Sequence, residues 1–281
     1  MHYTQVLLVT ILFTTFSCID SNQSPGNASS ASSVVPARLK EIKLPEGYQF
    51  LYTGDSVYAS WLLNLELKKT NTVYLYNKQR KKYQGAQFAV LDLDIGKKDL
   101  LQCADAAIKL RADFLFMNSQ FDKLSFVATS GDKLSFQKWL QGTRWKEKGN
   151  RLQTYESGIT ATDRNISYRQ FMDLVYTYCG TYSLSRQLKA IDDNNDLQPG
   201  DIFIEGGFPG HAVTVMAVAK NTIGKKIILL SQGYMPAQDI HLLKNFNDSD
   251  LNPWYSIEEL YPLNTPQWKF GSRSLKRWQV L

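Results

Sequence analysis

Cysteine and histidine are scarce in this chain, three of each among 281 residues. No C-x-x-C and no H-x-x-x-H occurs, which excludes the short-spaced zinc and redox patterns. A metal site would need Cys103, Cys179, His211 and His241 to converge from four segments, so the sequence implies no metal and no cofactor. Beyond the N-terminus no apolar run is long enough to cross a membrane as a helix. Residues 1–17 contain no Lys, Arg, Asp or Glu. The net charge of +6 therefore belongs to the rest of the chain. Its Lys and Arg are scattered, which argues against nucleic acid as a partner. The one basic cluster, Lys78-Gln79-Arg80-Lys81-Lys82, reads as a solvated turn between two strands. The acidic polymers of a cell envelope are compatible with this charge.

The N-terminus carries a short apolar run, Val6 to Phe16, followed by Ser17-Cys18 and then polar residues. This is the arrangement of a bacterial lipoprotein signal. Residues 1–17 are expected to be a signal peptide, with Cys18 as the lipidated N-terminus that tethers the protein to the membrane. A plain secretory signal is the alternative, and either one exports the chain. The expected location is the cell envelope, facing the periplasm or the cell surface. Asn22 to Pro36 is rich in Ser, Asn, Gly and Pro and cannot bury enough apolar surface to order itself. Residues 18–36 read as lipidated terminus and linker, and 37–281 as a single domain. A hydrophobic content of 43% supplies its core.

The pattern predicts an α+β domain with a central antiparallel sheet and packed helices. Strands are expected at Tyr48–Tyr52, Thr72–Tyr76, Gln87–Leu93 and Leu124–Ala128. Short helices are expected at Ser56–Leu63, Lys133–Leu140 and Ser183–Ile191. Ser167–Cys179 is amphipathic and ends at Gly180, a standard helix stop. Gln141 to Thr162 is polar and reads as a long surface excursion, either a lid or an insertion. The most regular helix is Lys98–Met117, whose Leu100, Ala104, Ala107, Leu110 and Phe114 follow helical spacing. The organising element is a hairpin. Pro199-Gly200-Asp201 turns into Ile202–Ile204, Gly206–Gly210 turns again, and Ala212–Ala219 is a strand apolar enough to be buried on both faces. Lys226–Ser231 continues the sheet, and Asp239–Leu243 adds a short strand.

His211 stands where the glycine loop meets the buried strand. An imidazole there is mounted either as a catalytic base or as a hydrogen-bonded structural group. Cys103 lies near a helix start, where free N–H groups and the helix dipole stabilise a thiolate. It reads either as a nucleophile or as a small buried hydrophobe. Gln102 beside it is placed to donate to an oxyanion, and Gln232, at the end of the next strand, to orient the imidazole.

The segments D-L-L-Q-C-A-D-A-A-I-K-L-R-A-D-F-L (Asp99–Leu115), G-D-I-F-I-E-G-G-F-P-G-H-A-V (Gly200–Val213) and S-Q-G-Y-M-P-A-Q-D-I-H (Ser231–His241) resemble an uncharacterised family of bacterial lipoproteins known only as a domain of unknown function (4846). More remotely, L-Q-P-G-D-I-F-I followed by G-H-A-V-T-V resembles papain-like cell-wall hydrolases of the NlpC and CHAP type. That second resemblance implies a papain-like core, with His211 as base and Gln232 as its orienting residue. The chain departs from that pattern where the hydrolases carry their cysteine, at the start of the helix before the Gly-Asp turn. Tyr168 occupies that place and Cys179 lies at the helix's other end, which leaves Cys103 as the candidate nucleophile. Three functions follow. The first is a Cys103–His211 thiol hydrolase, an amidase or peptidase with Gln102 and Gln232 in support, acting on a peptide or peptidoglycan-type amide. The second is a non-catalytic module holding a cell-wall peptide or glycan in the same cleft. The third is a structural surface lipoprotein.

Overall fold

The computed structural model describes residues 36–52, 55–160 and 162–279. The expected signal peptide, Cys18 and the linker through residue 35 lie outside the described residues. The fold is that of the unit Val35–Leu281.

β1 (Tyr48–Phe50) follows a turn in which Gly47 takes φ +78°, a conformation open to glycine at little cost. α1 (Ser56–Leu63) is capped by Asp55, whose carboxylate accepts the Tyr58 N–H at 3.0 Å. Residues 72–76, expected as a strand, make only single bridges, Tyr74 with Arg80 and Leu75 with Gln238. β2 (Gln87–Val90) precedes α2 (Cys103–Met117). α2 starts at Cys103 and not at Lys98, because the groups that might cap an earlier start are committed elsewhere. Asp99 accepts the Ala237 N–H at 2.7 Å, and Gln102 is extended, its N–H donating to Asp105 at 3.0 Å.

β3 (Ser125–Val127) and β4 (Lys133–Ser135) form a hairpin. α3 (Phe136–Leu140) follows, capped by Ser135, so the helix expected from Lys133 begins later. The expected surface excursion is a second hairpin, β5 (Thr143–Lys148) and β6 (Arg151–Glu156), turning at Gly149 with φ +63°. Its Thr, Trp and Tyr residues suit a half-exposed pleated surface. α4 (Arg164–Tyr178) and α5 (Thr181–Gln187) flank Gly180. Tyr168 stacks on Phe116 at 4.2 Å and donates to Asp113 at 2.6 Å, which ties α4 to α2.

The remaining strands are β7 (Lys189–Ala190), β8 (Ile202–Glu205), β9 (His211–Asn221), β10 (Lys226–Gln232), β11 (His241–Leu243), β12 (Tyr255–Ser256), β13 (Leu263–Asn264), β14 (Lys269–Phe270) and β15 (Leu275–Arg277). The fold is α+β, with helices packed on a central sheet of order β2-β11-β10-β9-β8-β15-β7. β1 pairs with the far end of β9, β12 pairs with β10, and each of these pairings is antiparallel.

β9 is central and almost wholly buried. Side-chain alternation, shifted once by a bulge between Val215 and Ala217, gives the sheet two distinct faces. Ala212, Met216 and Ala219 share one core with Ala104, Ala107 and Ile108 of α2. Val213, Val215 and Val218 share the other with Phe203, Leu263 and Phe270. The same alternation decides where His211 points.

Candidate functional site

Cys103 is the first residue of α2 and is 7% exposed. Its Sγ lies 4.0 Å from the Gly210 carbonyl, so the start of α2 sits against the start of β9, on the face that carries Ala212. His211 is one residue away in a strand of period two, and its side chain belongs to the opposite face, with Val213. There its ring packs against Tyr234, Trp268 and Phe270 at 5.2, 5.3 and 5.9 Å.

The thiol hydrolase expectation is therefore corrected. The sheet separates Cys103 from His211, and no Cys–His contact exists among the described residues. Burial and the neighbouring Asp105 push the Cys103 thiol up to about 11, so it is neutral, the opposite of an activated nucleophile. Burial also pushes His211 down to about 4. Gln102 caps α2 and has no thiolate chemistry to assist. Cys103 and Cys179 are both free thiols. The Cys179 Sγ contacts the Val127 carbonyl at 3.4 Å, and burial raises its pKa too. Among the described residues, no group of three or more His, Cys, Asp or Glu is placed to hold a metal ion.

The structure does bring His211 and Gln232 together. His211 Nε2 and Gln232 Oε1 are 2.8 Å apart. An amide oxygen only accepts, so His211 carries its proton on Nε2. The Gln232 amide donates to Gln267 Oε1 at 2.8 Å and to His241 Nε2 at 3.3 Å. His241 Nδ1 then donates to the Asp239 carbonyl at 2.9 Å. Lys81 completes the chain, donating to Gln267 at 2.9 Å and lying over the Tyr234 ring at 5.4 Å. Along this chain each linking bond runs from a donor to an acceptor, and both imidazoles are fixed as neutral tautomers. Burial pushes His241 down to about 3. Lys81 is 7% exposed, and burial lowers it to about 8. It is not in a solvated turn, as its neighbours in sequence imply. No spacing rule marks it, because its contacts with Gln267 and Tyr234 are long-range. This network acts as a satisfied polar core that pins β9, β10 and β11.

On the α2 face a cleft of about 630 Å³ opens beside Cys103. Its walls are the start of α2, the tip of the β5–β6 hairpin, the end of α4 and the Gly207–Gly210 loop. Phe208 on this loop is 92% exposed, Met235 57% and Tyr182 42%. Asp105, which no spacing rule in the sequence marks, lines the cleft as well. It is 5% exposed, its Oδ1 has no hydrogen-bond partner, and burial pushes its carboxyl up to about 8. Arg151 at the hairpin tip is tied to Asp132 by a two-pronged contact, at 2.6 and 3.0 Å. The cleft thus combines an apolar rim with a floor of neutral thiol and neutral carboxyl. The Cys103 thiol in this floor is not activated for nucleophilic attack.

No curated protein and no solved structure matches this chain. A family model matches residues 39–277, essentially the whole folded unit, and the chain belongs to the family described as Domain of unknown function (4846).

Proposed function

We propose that this protein is a non-catalytic binding module of the bacterial cell envelope. In this reading a lipid on Cys18 holds it to the membrane, and the α2 cleft takes up a cell-wall peptide or glycan. The observation that carries the reading is Phe208, an aromatic ring 92% exposed on the lip of the cleft. Apolar groups gathered at the rim of a cavity mark interaction sites more often than isolated ones do, and aromatic rings pack on sugar faces and peptide side chains alike. Met235 and Tyr182 extend the same rim. The neutral Cys103 and Asp105 beneath it favour holding over cutting. The order of a helix beginning at Cys103, a hairpin bearing His211 and a strand bearing Gln232 supports a remote kinship with the papain-like NlpC/CHAP core, with the cleft kept and the chemistry lost.

The test is retention of the full chain on isolated peptidoglycan, followed by titration with soluble stem peptides and with glycan strands stripped of peptide. Phe208→Ala should lower retention several-fold, and Cys103→Ser should leave it unchanged. The two soluble ligands identify which part is held. Absence of retention, or retention indifferent to Phe208, refutes the reading. Fatty-acid labelling that survives Cys18→Ala refutes the anchor.

A further inference from the structure

A second cavity, of about 460 Å³, has no part in the cleft. It is enclosed by the start of α1, the end of α2, the β3–β4 hairpin, the end of α5 and Trp278. Four cations line it: Arg111, Lys123, Lys133 and Arg186. The only acid among its described lining residues is Asp55.

Asp55 does not neutralise this set. One of its oxygens is taken by the Tyr58 N–H at 3.0 Å. The other is 3.5 Å from Arg111 Nη1, beyond an ordinary hydrogen bond. Arg111 is the most informative member. Its side chain is only 14% exposed, and its guanidinium lies over the rings of Tyr58 and Phe114, at 5.0 and 5.5 Å. It makes no hydrogen bond among the described residues. A guanidinium carries five N–H donors and cannot be deprotonated, so hiding it with no partner beyond the 3.5 Å ion pair to Asp55 is costly. Lys123 and Lys133 form no ion pair among the described residues. Arg186 lies over the Tyr182 ring at 5.4 Å, with its Nη1 3.5 Å from the Tyr182 hydroxyl, and forms no ion pair among the described residues. The apolar part of the lining comes from Phe114, Leu115, Phe126 and Trp278.

We propose that this cavity binds an amphipathic anion, a carboxylate or phosphate carried on an apolar chain or ring. Arg111 and Lys133 meet the anionic group, and Phe114 and Trp278 pack on the apolar part. The anion supplies the acceptors that Arg111 lacks, and charge-assisted bonds of this kind are the strong ones. The volume lies within the range of small-molecule sites.

Calorimetric titration of the full chain tests this, with decanoate and decyl phosphate below their micellar concentrations as probes. Both should bind. Inorganic phosphate, which lacks the chain, and decyltrimethylammonium, which reverses the charge, should bind at least tenfold more weakly. Arg111→Gln should weaken both anionic probes by roughly tenfold or more. Lys133→Gln, on the exposed side of a short strand, serves if the first variant does not fold, and should weaken them several-fold. Phe208→Ala should change neither, which separates this cavity from the cleft. The proposal is overturned if neither anionic probe binds, if the cationic analogue binds equally well, or if both charge-removing variants bind as the parent does. It is also overturned if Phe208→Ala abolishes the signal, or if the protein adsorbs to anionic vesicles while neither monomeric probe binds.

Discussion

Replacing Asp105 with asparagine should turn a shallow pH dependence of stability into a steep one. Two buried imidazoles and one buried carboxyl oppose each other between pH 7.5 and pH 5. His211 and His241 are pushed down to about 4 and about 3, so the folded chain keeps them neutral at pH 5. In the unfolded chain they take up protons below about 6.5. Over that window the unfolded state binds more protons as the pH falls, so acidification costs stability. The 1.5 pH units below the unfolded value correspond to about 2 kcal/mol for each imidazole, and ~4 kcal/mol for the two as an upper limit. The charged groups around them are Lys81, which lowers both, and Glu205, which raises His211. Lys81 stays mostly protonated in both states across this range.

Asp105 runs the other way. Its carboxyl is pushed up to about 8, so the folded chain holds its proton from pH 5 to pH 7.5. The unfolded carboxyl, with a usual value of about 3.9, is ionised over that range. Raising the pH therefore costs stability, and acidification restores about 3 kcal/mol. The parent protein should lose only ~1 kcal/mol between pH 7.5 and pH 5, the balance of these opposing contributions. The side-chain amide of the Asp105→Asn variant keeps an oxygen for the Gln102 N–H and does not titrate, so this variant should lose ~4 kcal/mol over the same interval. Urea unfolding followed by tryptophan fluorescence at pH 5, 6 and 7.5 measures both profiles. Exposed carboxylates contribute equally to the two proteins, so their difference isolates Asp105. Parallel profiles would refute the reasoning.

Cys103, with its thiol pushed up to about 11, should react with iodoacetamide at pH 8 about a hundredfold more slowly than a free thiol. Mass spectrometry with a denatured control checks this, and labelling at the free-thiol rate would show an activated thiolate. Gly233→Ala places a Cβ 2.8 Å from the Gln102 carbonyl and 3.0 Å from the Ala106 methyl. It should lower stability by about 1–3 kcal/mol in urea unfolding, and an unchanged midpoint would show that this loop does not seat against α2.

Local sequence was enough to specify the central hairpin and the helices that flank it. Gly206–Gly210 followed by a nearly continuous apolar run admits little other than a turn into a two-face-buried strand, and β9 spans that run. Asp55, Ser135 and Asp163 cap their helices through local side-chain bonds, and such signals are written in neighbouring residues. The contact between His211 and Gln232 was legible for the same reason, since both stand at the ends of adjacent strands. What lies on which side of the sheet was set by long-range packing. Cys103 and His211 both sit beside the Gly207–Gly210 loop, yet the two-residue period of β9 sends the imidazole to one face while α2 packs on the other. Elimination among two thiols and two imidazoles carries no information about that choice. Lys81 reads as solvated in a basic run and is buried by Gln267 and Tyr234, which follow it by more than half the chain's length. Nothing in the Asp99–Leu115 segment sets Asp105 apart, and burial against the cleft wall is what raises its pKa to about 8. Local periodicity fixes how each segment coils and which of its faces is apolar. Burial, and with it every pKa in the candidate site, depends on which distant segment covers that face.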